Sequence, residues 1–204
     1  MVSFPNNVFV NCPLDTDYLP LLRPLLFTIV YLDFKPRLAP ESADSSEPRI
    51  NKIIKLIEES KYAIHDLSRL ISDDKGEYYR LNMPFELGLD IGCKLYHGTK
   101  WQEKKCLILE KEKHRLKVAL SDLSNSDILD HNNDPEIIVR QVRHWLVNEC
   151  GAKDISPKKI WYDFNDFMTY IHDKGLDEKD IDGLFIKELL EYMRKWIDDN
   201  VDSI

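Results

Sequence analysis

Apolar residues fall in two rhythms along this chain, and the two alternate as far as about residue 150. Short runs with β-branched or alternating character are NVFVNC (7–12), FKPRLA (34–39), KYAIHDL (61–67), KKCLILE (104–110) and KVALSDL (117–123). Each reads as a strand of one sheet. Between them lie stretches whose apolar positions recur at helical spacing. YLPLLRPLLFTIVYLD (18–33) is one; Pro20 suits its first turn, whereas Pro24 predicts a kink or a break. Pro48 opens another, with Ile50, Ile53, Ile54 and Ile57 on one face. NDPEIIVRQVRHWL (133–146) is the best marked, with Asp134 as N-cap, Pro135 in the first position, and Ile138, Val142 and Trp145 at helical spacing. Strands alternating with helices over short loops predict an α/β domain with a parallel sheet covered on both faces.

After CGAKD (150–154) the pattern changes. Ser156-Pro157 starts a helix carrying Ile160, Trp161, Phe164, Phe167, Met168 and Ile171. Asp177 starts another, with Ile181, Leu184, Phe185, Leu189, Met193 and Trp196. The expected organisation is a sheet domain over residues 1–150 and a C-terminal helical hairpin over 151–204. The hairpin's aromatic side calls for packing on the sheet domain or on a second copy.

The stretch YYRLNMPFELGLDIGCKLY (78–96) allows both rhythms. As a strand it alternates from Phe85 to Leu95, but Pro84, Gly88 and Gly92 would all be unfavourable. As a helix opened by Asn82 and Pro84, it places Glu86, Asp90 and Lys94 on one stripe about 80° wide. Apolar residues cover most of the rest, and Gly88 and Gly92 lie one turn apart, where a missing side chain would admit a close sheet. The helix is the consistent reading, with Glu86 in its first turn above the carboxyl ends of the strands. Open α/β sheets bind ligands at that edge. Asn11, Asp15 and Asp17 follow the first strand, Asp66 and Ser68 follow the third, and Arg49 begins the second helix. Arg49 and Arg80 are the candidate cations in this group of carboxylates. Glu86 can equally be a carboxylate that only matches the helix dipole.

Composition narrows the classes. The chain has 204 residues, 43% hydrophobic and 31% charged, with a net charge of −8. That charge argues against a duplex nucleic-acid binder. No run approaches the roughly 18 apolar residues of a membrane span, and MVSFPNNVFVNCP lacks the form of a signal peptide, so a cytoplasmic protein without membrane attachment is expected. Cys12, Cys93, Cys106 and Cys150 are scattered, and their spacing offers neither zinc ligands nor a disulfide framework. No GxGxxG or P-loop is present. DHNNDP (130–135) has metal-ligand residue types without a second cluster, so it reads as a capping turn and no metal is expected. EKEKHR (110–115) reads as a solvated turn, and His65 and His144 as structural histidines.

YAIHDLSR, NMPFELGLDIGCKLY and KKCLIL together resemble the core of the nucleoside deoxyribosyltransferase and TIR-like superfamily. VFVNCPLDTDY, PRINKIIKLIEESKYAIHDLSR and RLNMPFELGLDIG look more closely like bacterial TIR-like nucleotide-binding proteins, several of them associated with anti-phage defence. The resemblance covers roughly residues 7–110. It implies a flavodoxin-like sheet and cleavage of an N-glycosidic bond in NAD or a related nucleotide, with hydrolysis and cyclisation to a signalling nucleotide both open. By position, Glu86 would be the catalytic carboxylate facing the ribose, and Asp66 would contact base or sugar. Asp15, Arg49 and Asn82 would help to position ribose and phosphates. The nucleotide would be substrate or ligand rather than a resident cofactor, and assembly into a homo-oligomer is the form in which such enzymes often act. LNMPF (81–85) stands where deoxyribosyltransferases usually carry a glycine-threonine segment, which favours the TIR-like branch. The alternative is a non-catalytic nucleotide sensor that couples binding to assembly.

Overall fold

The computed structural model describes residues 4–41, 46–69, 81–113, 115–123, 126–174, 176 and 178–201. Five strands, β1 (Asn7–Asn11), β2 (Lys35–Arg37), β3 (Tyr62–Asp66), β4 (Lys105–Glu110) and β5 (Ile128–Asp130), form one parallel sheet. Their order is β2-β1-β3-β4-β5, the flavodoxin-like arrangement. Eight α-helices accompany them among the described residues: α1 (Leu19–Tyr31), α2 (Arg49–Glu58), α3 (Asn82–Tyr96), α4 (Arg115–Ala119), α5 (Pro135–Cys150), α6 (Pro157–Asp173), α7 (Glu178–Gly183) and α8 (Ile186–Asn200).

The chain packs as two compact units. The first spans Met1–Pro13 and Pro36–Asp134 and holds the sheet with α2, α3 and α4. Every residue of β1 and of β3 is buried, as central parallel strands require. Register is set by Phe9 opposite Ala63 and Asn11 opposite His65, and by Asp66 opposite Leu109 on the next strand. Phe9 and Ala63 pack against Ile53, Leu56 and Ile57 of α2. Leu67 and Ile108 pack with Met83 and Leu87 of α3 and with Leu116 of α4. The buried stripe of α2 therefore runs through 53, 56 and 57, while Ile50 and Ile54 stay largely exposed.

The second unit spans Leu14–Lys35 and Pro135–Ile204. It joins α1 and α5, which precede residue 150, to the helices that follow it. Phe27 of α1 is fully buried among Phe164, Phe167 and Trp196, with ring centroids 5.4–5.9 Å away. The aromatic side of the C-terminal helices thus packs on α1. Arg23 of α1 pairs with Asp182, and Arg143 of α5 pairs with Asp154.

Several local expectations differ from what is found. α1 runs through Pro24 without interruption, and the Thr28 hydroxyl donates to the Pro24 carbonyl at 2.7 Å. KVALSDL is not a strand. It forms the end of α4 and a 3-10 turn at Ser121–Leu123, and the fifth strand is Ile128–Asp130, too short to show a period of its own. The second hairpin helix is divided between α7 and α8, and its expected cap, Asp177, lies outside the described residues. Gly88 and Gly92 do not face the sheet. A Cβ added at either would meet nothing within 4 Å. Among the described residues, no helix is long and apolar enough to cross a membrane.

Candidate functional site

In this strand order the topological switch falls between β1 and β3, so the crevice for a ligand lies beyond Asn11 and Asp66. α3 starts at that edge. Asn11 ends β1, and its side-chain amide donates to the Met83 carbonyl in the first turn of α3 at 2.9 Å. Glu86 is the fifth residue of α3 and so opens the second turn, just past the first turn that the sequence predicts. It is only 4% exposed. The face that α3 turns inward carries Met83, Glu86, Leu87 and Asp90, whereas Phe85, Leu95 and Tyr96 point outward. The polar stripe read from spacing is buried at Glu86 and Asp90 and exposed at Lys94.

Arg49, the first residue of α2, reaches Glu86 with its guanidinium at 3.9 Å from Oε1. Its side chain stays 60% exposed, so the cation is shared with solvent. Asn82 also hydrogen-bonds Glu86. Burial pushes the Glu86 carboxyl above its ordinary pKa, while Arg49 and Asn82 act in the opposite direction and only in part. Glu86, Arg49 and Asn82 are therefore one group, built from the N-terminal turns of two neighbouring helices.

The other expected residues are distributed differently. Asp66 and Ser68 belong to a separate buried group. Asp66 Oδ1 accepts from the Ser68 backbone N–H at 2.9 Å, and Oδ2 lies 3.1 Å from His131 Nε2, off the ideal hydrogen-bond line. Both Asp66 and His131 are fully buried, so the Asp66 carboxylate points into protein. His131 follows β5, and its Nδ1 accepts from the Asn133 N–H at 3.1 Å in a turn where Asn132 and Asn133 have positive φ. DHNNDP is indeed a turn before α5, and it also carries this second partner. Asp15 and Asp17 fall in the other compact unit. There Asp15 caps the 3-10 turn Thr16–Tyr18 by accepting from the Tyr18 N–H, and Asp17 is exposed in that turn. Arg80 lies outside the described residues.

Residues assigned no role at the site from the sequence complete the picture. His65 accepts at Nδ1 from the Asn11 amide at 3.0 Å, so Nε2 carries its proton and faces Asp90 Oδ2 at 3.3 Å. Asp90 Oδ1 is 2.9 Å from the buried ammonium of Lys104. Burial works against the Asp90 charge, but His65 and Lys104 outweigh it and hold the carboxyl below its ordinary pKa. Glu110 is not in a solvated turn. It is fully buried, with Oε1 taking Arg115 Nη2 at 2.8 Å and the Lys111 N–H at 2.7 Å. Arg115 also donates to the Ser68 carbonyl at 2.5 Å. The one signal available in the sequence was position, since Asp90 stands one turn after Glu86.

Among the described residues, no three His, Cys, Asp or Glu side chains are grouped to hold a metal ion. A search against family models, curated proteins and solved structures finds no match for this chain.

Proposed function

We propose that this protein is a TIR-like enzyme that cleaves the N-glycosidic bond of NAD or a related nucleotide, with Glu86 as the reacting carboxylate. The observation that carries the reading is the state of Glu86. It is a carboxylate buried at the switch-point edge of a flavodoxin-like sheet, held above its ordinary pKa by burial, with one half-solvated cation at 3.9 Å.

Heterolysis of the bond between C1′ and the base sends the bonding pair to the base and leaves positive charge on the ribose. A pyridinium leaving group departs as a neutral amine and needs no proton. The positive charge that the pyridinium ring carries in the ground state moves to the ribose, and a poorly solvated carboxylate beside C1′ gains more from it there, which is the differential stabilisation that lowers a barrier. It either shields the cation or forms an ester with C1′. Water, or an oxygen or nitrogen nucleophile elsewhere in the nucleotide, then bonds to C1′ and gives up a proton to solvent; where the ester has formed, its C1′–O bond breaks in the same step and Glu86 leaves as the carboxylate. Arg49, mostly exposed, would exchange Glu86 for a phosphate of the bound nucleotide, and Asn82 and Asn11 line the same edge. The biological setting implied by the resemblance is anti-phage defence, with the chain acting as an assembly.

A second reading is a non-catalytic nucleotide sensor. It is favoured by the Arg49–Glu86 pairing itself, because a carboxylate with a cation partner can be a latch that a ligand phosphate opens.

The test is chromatography of NAD incubated at high protein concentration, wild type beside Glu86→Gln. Nicotinamide released by wild type alone supports the enzyme. Nicotinamide from neither, with nucleotide binding retained and oligomer size shifted by the ligand, supports the sensor.

A further inference from the structure

The end of α2 is closed by side chains from three places. The Asn7 amide donates to the Glu59 carbonyl at 2.7 Å, and the Trp101 indole donates to the Glu58 carbonyl at 3.0 Å. Lys104 donates to the Ile57 carbonyl at 2.8 Å and to the Ser60 carbonyl at 2.5 Å. The last carbonyls of a helix lack partners of their own, and a cation there also suits the dipole. Lys104 is 2% exposed, with two ammonium protons on those carbonyls and Asp90 Oδ1 facing the ammonium at 2.9 Å as an ion pair off the hydrogen-bond line.

Its backbone is fixed as well, directly before β4 and bonded to the Trp101 carbonyl. One buried ammonium, held just before β4, therefore joins the C-terminus of α2 to the third turn of α3. Arg49 sits at the other end of α2, and Glu86 sits one turn before Asp90.

We propose that Lys104 is a positioning residue for Glu86: by joining α2 to α3 it sets the distance between Arg49 and the Glu86 carboxylate. A buried ion pair is weak evidence for net stability, since apolar residues often replace such pairs without loss. Polar contacts of fixed direction, here to carbonyls of α2 and to Asp90 of α3, serve to hold the register of two helices. His65 and Asn11 extend the same chain of contacts to β1 and to the Met83 carbonyl, so the first turn of α3 is held from two sides. The catalytic consequence rests on the reading of Glu86 as the reacting group, whereas the geometric claim does not.

The experiment follows the Glu86 carboxyl by ¹³C NMR titration in full-length protein, for wild type, Lys104→Met, and Asp90→Asn/Lys104→Met. The double variant removes one positive and one negative charge and leaves His65 an acceptor. Its net charge is unchanged, and a shift at Glu86 reports geometry rather than lost charge. The expected result is that Glu86 titrates higher in both variants, because Arg49 is no longer held near it. Turnover of NAD should fall tenfold or more in kcat, with KM changed much less.

A folded double variant whose Glu86 titrates as in wild type overturns the proposal. So does failure of both variants to fold, because Lys104 would then be serving the fold as a whole. Absence of nicotinamide release from wild type would sink the glycosidase reading alone and leave the NMR result to decide the positioning.

Discussion

Glu86 and Asp90 stand one turn apart on the same buried face of α3, and their carboxyl pKa values are displaced in opposite directions. Both are nearly inaccessible, at 4% and 3% exposure, so burial alone does not separate them. Partners do. Asp90 has Lys104 at 2.9 Å and His65 at 3.3 Å, whereas Glu86 has Asn82 and an Arg49 that is mostly in solvent. Carboxylates whose surroundings push them apart in this way mark which one is structural and which is poised.

The two should therefore give mirror-image stability differences. Glu86 is raised, so its ionised form opposes folding above the unfolded carboxyl pKa, and the penalty fades as pH falls through the folded value. Glu86→Gln should melt at higher temperature than wild type at pH 7, with the gain vanishing below about pH 4. Asp90 is lowered, so its stabilisation is present at neutral pH and is lost as pH falls through its folded value. Asp90→Asn should melt lower at pH 7, with a deficit that shrinks in acid. Thermal denaturation across that range reads both, and the same sign for the two variants would refute the assignment.

Gly88 and Gly92 lie inside α3 with open space where a Cβ would go. Gly88→Ala and Gly92→Ala should each stabilise the chain by about 0.5–1 kcal/mol, through lower entropy of the unfolded chain and better helix propensity. Urea denaturation measures it. A loss instead of a gain would mean that the glycines meet a surface in the assembled protein.

The central strands were legible because buried parallel strands carry unbroken apolar stretches, here residues 8–10 and 62–64, although both end in buried polar residues. The short β5 carried no such signal, and KVALSDL mimicked one. At the site, Glu86 was found by placing a helix correctly, although the inward turn of its face was not. A charged residue looks the same in sequence whether solvated or buried. Asp90, Lys104, Glu110 and His131 became interpretable only when partners distant in the chain stood beside them. The glycines were misread for the related reason that spacing gives a helix face but not what lies opposite it.

Tyr31 offers a test within the second unit. Its hydroxyl donates to Asp163 Oδ2 at 2.5 Å, and burial, with the Asp163 hydrogen bond next, pushes its pKa up to about 12. A phenol raised in this way resists ionisation in the folded state, so stability holds below about pH 10 and falls as pH rises towards 12. Tyr31→Phe should be less stable at pH 7 by about 1–2 kcal/mol and should lose less on going from pH 9 to 12. Parallel alkaline loss in both proteins would show that Tyr31 does not control it.

Phe27→Ala removes the ring around which Phe164, Phe167 and Trp196 gather. Large-to-small changes at a fully buried aromatic cost about 3–5 kcal/mol, and this one should lower the urea midpoint accordingly. Far-ultraviolet circular dichroism should show helix loss before the sheet signal changes if the second unit opens first. A cost below about 1 kcal/mol would mean that α1 is not the centre of that packing.

Asp66 decides between a ligand contact and a buried support. His131 Nδ1 accepts from the Asn133 N–H, so the ring proton is on Nε2 and faces Asp66 Oδ2, while Oδ1 faces the Ser68 N–H. Each carboxylate oxygen thus has an N–H beside it, the Ser68 one as a hydrogen bond and the His131 one off the hydrogen-bond line. In Asp66→Asn only one oxygen remains, and whichever way the amide turns, its NH₂ opposes a donor that cannot reach water. The substitution should cost about 1–3 kcal/mol in stability. Nucleotide affinity, measured by calorimetry at a temperature where the variant is folded, should change less than threefold. A tenfold loss of affinity with unchanged stability would place Asp66 against the ligand, as the resemblance implies.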